Sequence, residues 1–257
     1  MPSAFNDSSN ALYQGELFGA LRIKNGAQIG GFISFGDTDE FKISPKQKFV
    51  DIEESQTGLG LTTDHIPVTT ELHVEMNILN SKFDNWMKAI WGTYGGAVTG
   101  ATVTGETVKL YPGAYCPLEH PGISAVTLTA GVIDVDYIID PVNGGIQVLA
   151  NSVVFVNPVG TSVDVNYTFA DYAGKVEAFT AHQPIFMLRL NGFNTANSSQ
   201  PVIVNVYQWA SDMAKMLSMI DKKKSTFMLN GMLLQDTTKP RPTQAAPFSQ
   251  FFNVVKG

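Results

Sequence analysis

The chain has 257 residues, 44% of them hydrophobic and 16% charged, with 17 Lys and Arg against 23 Asp and Glu for a formal net charge of −6. That balance argues against a nucleic-acid binder, whose affinity rests on Lys and Arg neutralising phosphates. A charged share below the usual quarter hints at surface hidden against partners, and the single cysteine, Cys116, excludes a disulfide framework or a Cys-based zinc site and reads as a small buried apolar residue.

The length fits one large all-β domain, or one domain carrying a smaller insert. Met1 to Ala11 lacks the basic and apolar blocks of a secretory signal. No apolar run reaches the ~18 residues that a membrane span needs. The expectation is a protein made and kept in a cytoplasm, with no membrane partner.

In chain order, strands are expected at 27–35, 40–43 and 47–53. The clearest local signal comes next. Ile66, Val68, Thr70, Leu72, Val74, Met76 and Ile78 share one parity; Pro67, Thr69, Glu71, His73, Glu75 and Asn77 share the other. Such alternation puts one set on a packed face and the other toward water. The run exceeds the usual strand length, so it suits a large sheet or one shared between subunits.

A helix is expected directly after it. Ser81 with Asp84 resembles a capping pair. Phe83, Trp86, Met87, Ile90 and Trp91 fall on one helical face, predicted to be its core face, and Gly92 sits where a stop is expected. Residues 93–106, rich in Gly, Ala, Thr and Val, read as a loop. Short strands then run from about 117 to 171, with Ile133, Val135, Tyr137 and Ile139 alternating and Asn143-Gly144 as a tight turn. Val163, Val165, Tyr167 and Phe169 form a further inward set. This stretch reads as a small β-sandwich module, 113–172, set into a core made of 1–112 and 173–257.

Strands are also expected at 175–180, 184–190, 201–209 and 225–234. A second helix is predicted over Ser211–Asp221, with Met213, Met216, Leu217 and Ile220 on one face and Lys222 to Lys224 complementing its dipole. The Pro-rich stretch 239–247 should be extended. Phe248, Phe251 and Phe252 need a surface to bury against.

Catalytic signatures are missing: there is no Gly-x-Ser-x-Gly elbow, no P-loop and no His-Glu-x-x-His. Glu71, His73 and Glu75 stand about 7 Å apart along the polar face of the long strand, a spacing that suits a metal ion or a carboxylate-oriented imidazole. A solvated or interface-lining sheet face explains them with fewer assumptions. Asp134 and Asp136 have the residue types of a glycosidase pair, yet no aromatic platform lies near them in sequence. His65, His120 and His182 are isolated. The reading is a non-enzymatic protein with no cofactor and no metal.

Several stretches together resemble the tail tube, or major tail, protein of long-tailed, non-contractile bacteriophages. They are Phe41-Lys42-Ile43-Ser44-Pro45-Lys46-Gln47-Lys48-Phe49 followed by Asp51-Ile52-Glu53-Glu54-Ser55, and the Gly58-Leu59-Gly60 loop leading into the long strand and the helix ending in Trp91-Gly92. Lys175-Val176-Glu177-Ala178-Phe179, the segment Pro201 to Trp209, Phe227 to Asp236 and Ser249-Gln250-Phe251-Phe252 complete the likeness. It covers nearly the whole chain, most specifically 27–92 and 175–252, and rests on the order of elements more than on any single motif.

The resemblance implies a mainly β protein, a tail-tube β-sandwich or barrel with one flanking helix and an inserted immunoglobulin-like β-sandwich. It implies homo-hexameric rings stacked into a tube whose lumen conducts DNA during ejection without binding it specifically. Tape-measure, tail-terminator and tail-tip proteins would be the partners, and the virion tail, assembled in the host cytoplasm, the location. The expected inter-ring stacking loop holds Ile52, Glu53, Glu54, Gly58, Leu59, Gly60, Leu61 and Asp64, and Glu71 and Glu75 are the expected lumen-facing acids. Two other readings stay open: an inner-tube subunit of a contractile or type VI-like injection system, and a carbohydrate-binding β-sandwich surface protein.

Overall fold

The computed structural model describes residues 12–53, 55, 62–196, 200–217, 219, 226–243 and 248–257. In chain order they form β1 (Tyr13–Arg22), β2 (Gln28–Ser34), β3 (Thr38–Glu53), β4 (Thr62–Ile78), α1 (Phe83–Ile90), β5 (Thr93–Tyr94), β6 (Thr102–Leu110), β7 (Tyr115–Pro117) and β8 (Ile123–Leu128). Then follow β9 (Tyr137–Asp140), β10 (Gly145–Val148), β11 (Thr161–Phe169), β12 (Val176–Glu177), β13 (Ile185–Asn194), β14 (Gln200–Ser211), β15 (Met216–Leu217), β16 (Phe227–Leu233) and β17 (Phe252–Lys256). The protein is mainly β, and its chain forms two compact units, Met1–Thr93 with Val176–Gly257, and Tyr94–Lys175.

The first unit is built on one antiparallel path, β2-β1-β13-β14-β16-β4-β3, with β15 on β16 and β17 on β14. β14 is the pivot. Its Val202–Val206 stretch pairs with β17, while Trp209–Ser211 pairs with β16. A strand that changes partners along its length lets a sheet fold over on itself into two facing layers. Leu17, Phe186 and Leu188 from one side and Val74, Met76, Phe227 and Leu229 from the other share a single core, with Trp209 fully buried among them. Phe251 and Phe252 pack against this core, whereas Phe248 stays exposed.

α1 covers part of that core, with only part of the face its apolar spacing suggested. Asn85 and Ala89 are its buried residues, flanked by Trp86 and Ile90; Met87 and Trp91 are half-buried and Phe83 is exposed. The reason is polar. Asn85 Nδ2 donates to the carbonyls of Phe35 and Asn80, both at 2.9 Å, and closing those carbonyls turns the helix inward on Asn85. Trp86 meets Phe227 edge-on at 4.8 Å between ring centroids.

Ser81 does not cap the helix. Lys82 occupies the N-cap without a side-chain bond, and Asn80 Oδ1 accepts from the Lys82 N–H at 3.1 Å. The stop falls on Trp91, in the left-handed region at φ 47, and the Gly92 N–H reaches Met87 O at 2.9 Å. Gly92 is needed for closeness instead: a Cβ there would stand 2.7 Å from Glu177 O.

The second unit packs two three-stranded antiparallel sheets, β7-β10-β9 and β6-β11-β8. Val163, Val165 and Tyr167 of β11 face Leu110, Cys116, Ile146, Val148 and Phe155, so the inward set and the buried cysteine lie in one core. β9 and β10 join through Asn143-Gly144, with Gly144 at φ 70, a value glycine adopts without a side-chain clash.

The unit is wider than the expected 113–172. β6 supplies its edge, so the end of the stretch read as a loop over 93–106 is strand from Thr102 onward. Thr and Val there satisfy their backbone across β11, a distant partner that local composition does not reveal.

Two further expectations change. Ser211 ends β14 and Met216–Leu217 pairs with β16, so no helix occupies 211–217; Met213 and Met216 are exposed. Asp221 and Lys222 to Lys224 lie outside the described residues. Ile133 and Val135 belong to a turn, with Asp134 at φ 63 and Asp136 folded inward. Residues 240–243 have no regular structure, and 244–247 lie outside the described residues.

Candidate assembly surface

β3 and β4 pair over nearly their whole length, from Thr38↔Ile78 to Glu53↔Thr62. On one face of β4, Val74, Met76 and Ile78 are buried and Leu72 packs at the rim of the core. The same parity continues outward through Thr70 to Val68 and Ile66, and there the core ends. Val68 is 62% exposed and Ile66 43%, and Val50, paired with Ile66, is 53% exposed. From Pro45 and Leu72 outward the ribbon runs beyond the layers with Phe49, Val50, Ile52, Ile66 and Val68 bare. A two-stranded ribbon is marginal in water by itself, and an exposed apolar edge invites pairing with another chain.

The opposite face of the outer ribbon is ordered by its own contacts. Phe49 stacks on His65 at 4.1 Å between centroids, and His65 Nδ1 lies 2.5 Å from Asp51 Oδ1. Of the expected stacking residues, Ile52 and Asp64 are cross-strand partners and Glu53 ends β3. Glu54, Gly58, Leu59, Gly60 and Leu61 lie outside the described residues.

Glu71, His73 and Glu75 share the outward face of the inner half of β4. His73 Nε2 stands 3.3 Å from Glu71 Oε2. No group of three or more His, Cys, Asp or Glu suited to a metal ion occurs among the described residues. Lysines interleave with the acids: Lys46 pairs across from Glu71, and Lys42 from Glu75. Lys42 also pairs with Glu40, which raises its pKa. This face is therefore of mixed sign, with Glu71 and Glu75 each set opposite a lysine.

Asp134 and Asp136 do not form an acid and base pair. Asp136 is buried, accepting from Ser152 Oγ at 2.7 Å and from Val132 N–H at 2.9 Å. The Ser152 hydroxyl first, then the Val132 N–H, hold its pKa below the ordinary value against the opposing effect of burial. It pins a loop. His120 stacks on Phe169 at 3.9 Å and meets Tyr172 Oη at 3.0 Å, a packed histidine.

Sequence reasoning missed a cleft of about 470 Å³ between α1 and the β1–β2 layer, lined by Leu21, Ile29, Gly31, Ile33, Lys88 and His182 among others. β2 is an edge strand. Ile29, Ile33 and Leu21 are each more than two-fifths exposed, and nothing stands within 4 Å of a Cβ built on Gly30 or Gly31. Lys88 Nζ lies 4.6 Å from the centre of the Phe35 ring. Burial pushes its pKa down, with Asp84 opposing. The signals were Gly30-Gly31 within an apolar run and a lysine beside Met87 on a short helix.

These features define a mainly β protein of antiparallel sheets, with one short helix among the described residues, an inserted β unit and a ribbon whose apolar side chains are exposed. Residues 10–255 match the family described as "Protein of unknown function UCP028589", and the chain belongs to that family. No curated protein matches it. No helix among the described residues is long and apolar enough to cross a membrane.

Proposed function

We propose that this protein is a non-catalytic structural subunit that assembles with copies of itself into a tube, as the tail tube subunits it resembles do. One observation carries the reading. The core-facing column of β4 continues past the core as Val68 and Ile66, with Val50 beside them, and all three are exposed in a single copy. A stripe bare in the monomer and periodic with the core is surface kept for a partner. Sheet shared between copies also removes the edge that the ribbon otherwise presents.

In this reading the copies close into rings, the rings stack head to tail, and DNA passes through the lumen during ejection without specific contacts. Stacking of that kind is a heterologous contact, which generates a filament. The virion tail is the location, with tape-measure, terminator and tip proteins as further partners. Negative-stain electron microscopy of the purified protein across a concentration series tests it. Hollow tubes or rings are expected; monomers at every concentration, also with tail-tip components added, count against the reading.

A further inference from the structure

We infer that the cleft between α1 and β2 receives the β3–β4 ribbon of a second copy, with Val50, Ile52, Ile66 and Val68 covering Leu21, Ile29 and Ile33 and the Asp64 carboxylate meeting Lys88. The inference rests on the assembly reading and adds to it a receptor surface and a charge pair.

The two surfaces match in three respects. First, both are apolar and bare in one copy, so the ribbon does not fill its own cleft. Second, they carry opposite charges. Asp64 pairs across from Ile52 and therefore shares its face with Val50 and Ile66. Lys88 lies in the cleft over the Phe35 ring, with no carboxylate within ion-pair distance among the described residues. Asp84, one turn earlier on α1, also lines the cleft and offsets part of the desolvation of Lys88. An incoming carboxylate would supply the partner that a desolvated ammonium lacks.

Third, the backbone is open to approach. Gly30 and Gly31 place no Cβ in the way, and β2 has no strand partner beyond β1 among the described residues. A ribbon laid there gains main-chain partners as well as apolar cover, as in strand addition to a sheet edge. Because ribbon and cleft are different surfaces, the contact is head-to-tail and repeats from copy to copy.

Disulfide trapping in the full chain tests this. Native Cys116 is buried and does not compete. Ile66→Cys protein mixed with Ile33→Cys protein should form mixed disulfide dimers under mild oxidation. Only like-with-like bonds, or none, would overturn the inference. A charge swap supplies a second readout. Lys88→Glu and Asp64→Lys should each raise the concentration needed for assembly about tenfold or more, and combining both in one chain should restore it. Gly31→Val should block the cleft. Tubes that form normally with Gly31→Val and with both single charge changes would overturn the docking assignment while leaving the assembly reading in place. A wild type that forms no tube under any condition, together with a 66–33 bond between the two cysteine variants, would do the reverse.

Discussion

Arg22 Nη1 and Asp236 Oδ2 stand 2.9 Å apart, joined across 214 residues of sequence, and both side chains are buried. Arg22 also donates to the carbonyls of Tyr207 and Gly26, and Asp236 accepts from the Thr238 hydroxyl at 2.6 Å and the Thr238 N–H at 3.0 Å. Beside them Gln208 Nε2 donates to Asn25 Oδ1 at 2.7 Å, and the Asn25 N–H donates back to Gln208 Oε1 at 3.0 Å. These bonds tie the β1–β2 turn to the segment after β16.

Removing one partner of a buried pair leaves the other charge unpaired, at about 3–5 kcal/mol. Asp236→Asn should lower unfolding stability by that order. The pH dependence follows from its pKa. Burial alone would raise it, but the Thr238 hydroxyl, Arg22 and the Thr238 N–H together hold it below the ordinary 3.8. A depressed carboxylate contributes stability above its unfolded pKa and loses it as pH falls through the lower folded value. Denaturant midpoints measured from about pH 6 down to about pH 2 should fall for the wild type below that ordinary value. The Asp236→Asn variant should show a shallower fall.

Replacing Val50 and Ile66 together by serine should leave the fold of one copy intact, because both are exposed. Surface changes of this kind stay within about 0.5 kcal/mol. Assembly should nonetheless be lost. Sedimentation velocity with a thermal melt separates the two effects, and a variant that assembles normally would place the interface elsewhere.

Glu75→Lys sets a lysine directly opposite Lys42, and Glu71→Lys does so opposite Lys46. Like charges across a strand pair cost about 0.2–1 kcal/mol, so each should lower the melting temperature slightly. If this face lines a lumen, the double lysine variant should also slow DNA ejection, with a salt dependence that grows with the added positive charge. Glu71→Gln with Glu75→Gln removes charge without adding a cation and should slow it less. Unchanged ejection in the lysine variant would assign the face to another surface.

Asp136→Ala should lower the melting temperature of the Tyr94–Lys175 unit, since it strips the acceptor from Ser152 and Val132. Asp134→Gly should be tolerated or stabilising, because Asp134 sits at φ 63, where glycine is at ease. Melting followed by near-ultraviolet circular dichroism checks both.

Local patterns carried far in this chain. Alternation in Val163 to Phe169 marked β11, Asn143-Gly144 marked the β9–β10 turn, and Phe83 to Trp91 marked a helix of about the right extent. Trp86 and Ile90 of the expected face do meet the core, but the helix is turned further, because Asn85, a polar residue, is drawn inward by two backbone carbonyls from outside the helix. The 211–217 stretch matched helical spacing, yet pairing of Met216–Leu217 with β16 prevailed, as tertiary pairing commonly overrides a weak local preference.

The sequence by itself determined the period of β4 and hence which of its residues share a face, because side-chain direction in a strand depends only on parity. Whether that face is covered was decided by the tertiary structure alone. Val74 and Ile66 have the same parity and similar chemistry; the first is fully buried, the second 43% exposed. The difference lies in distant strands that pack on the first and stop short of the second, and burial depends on those neighbours.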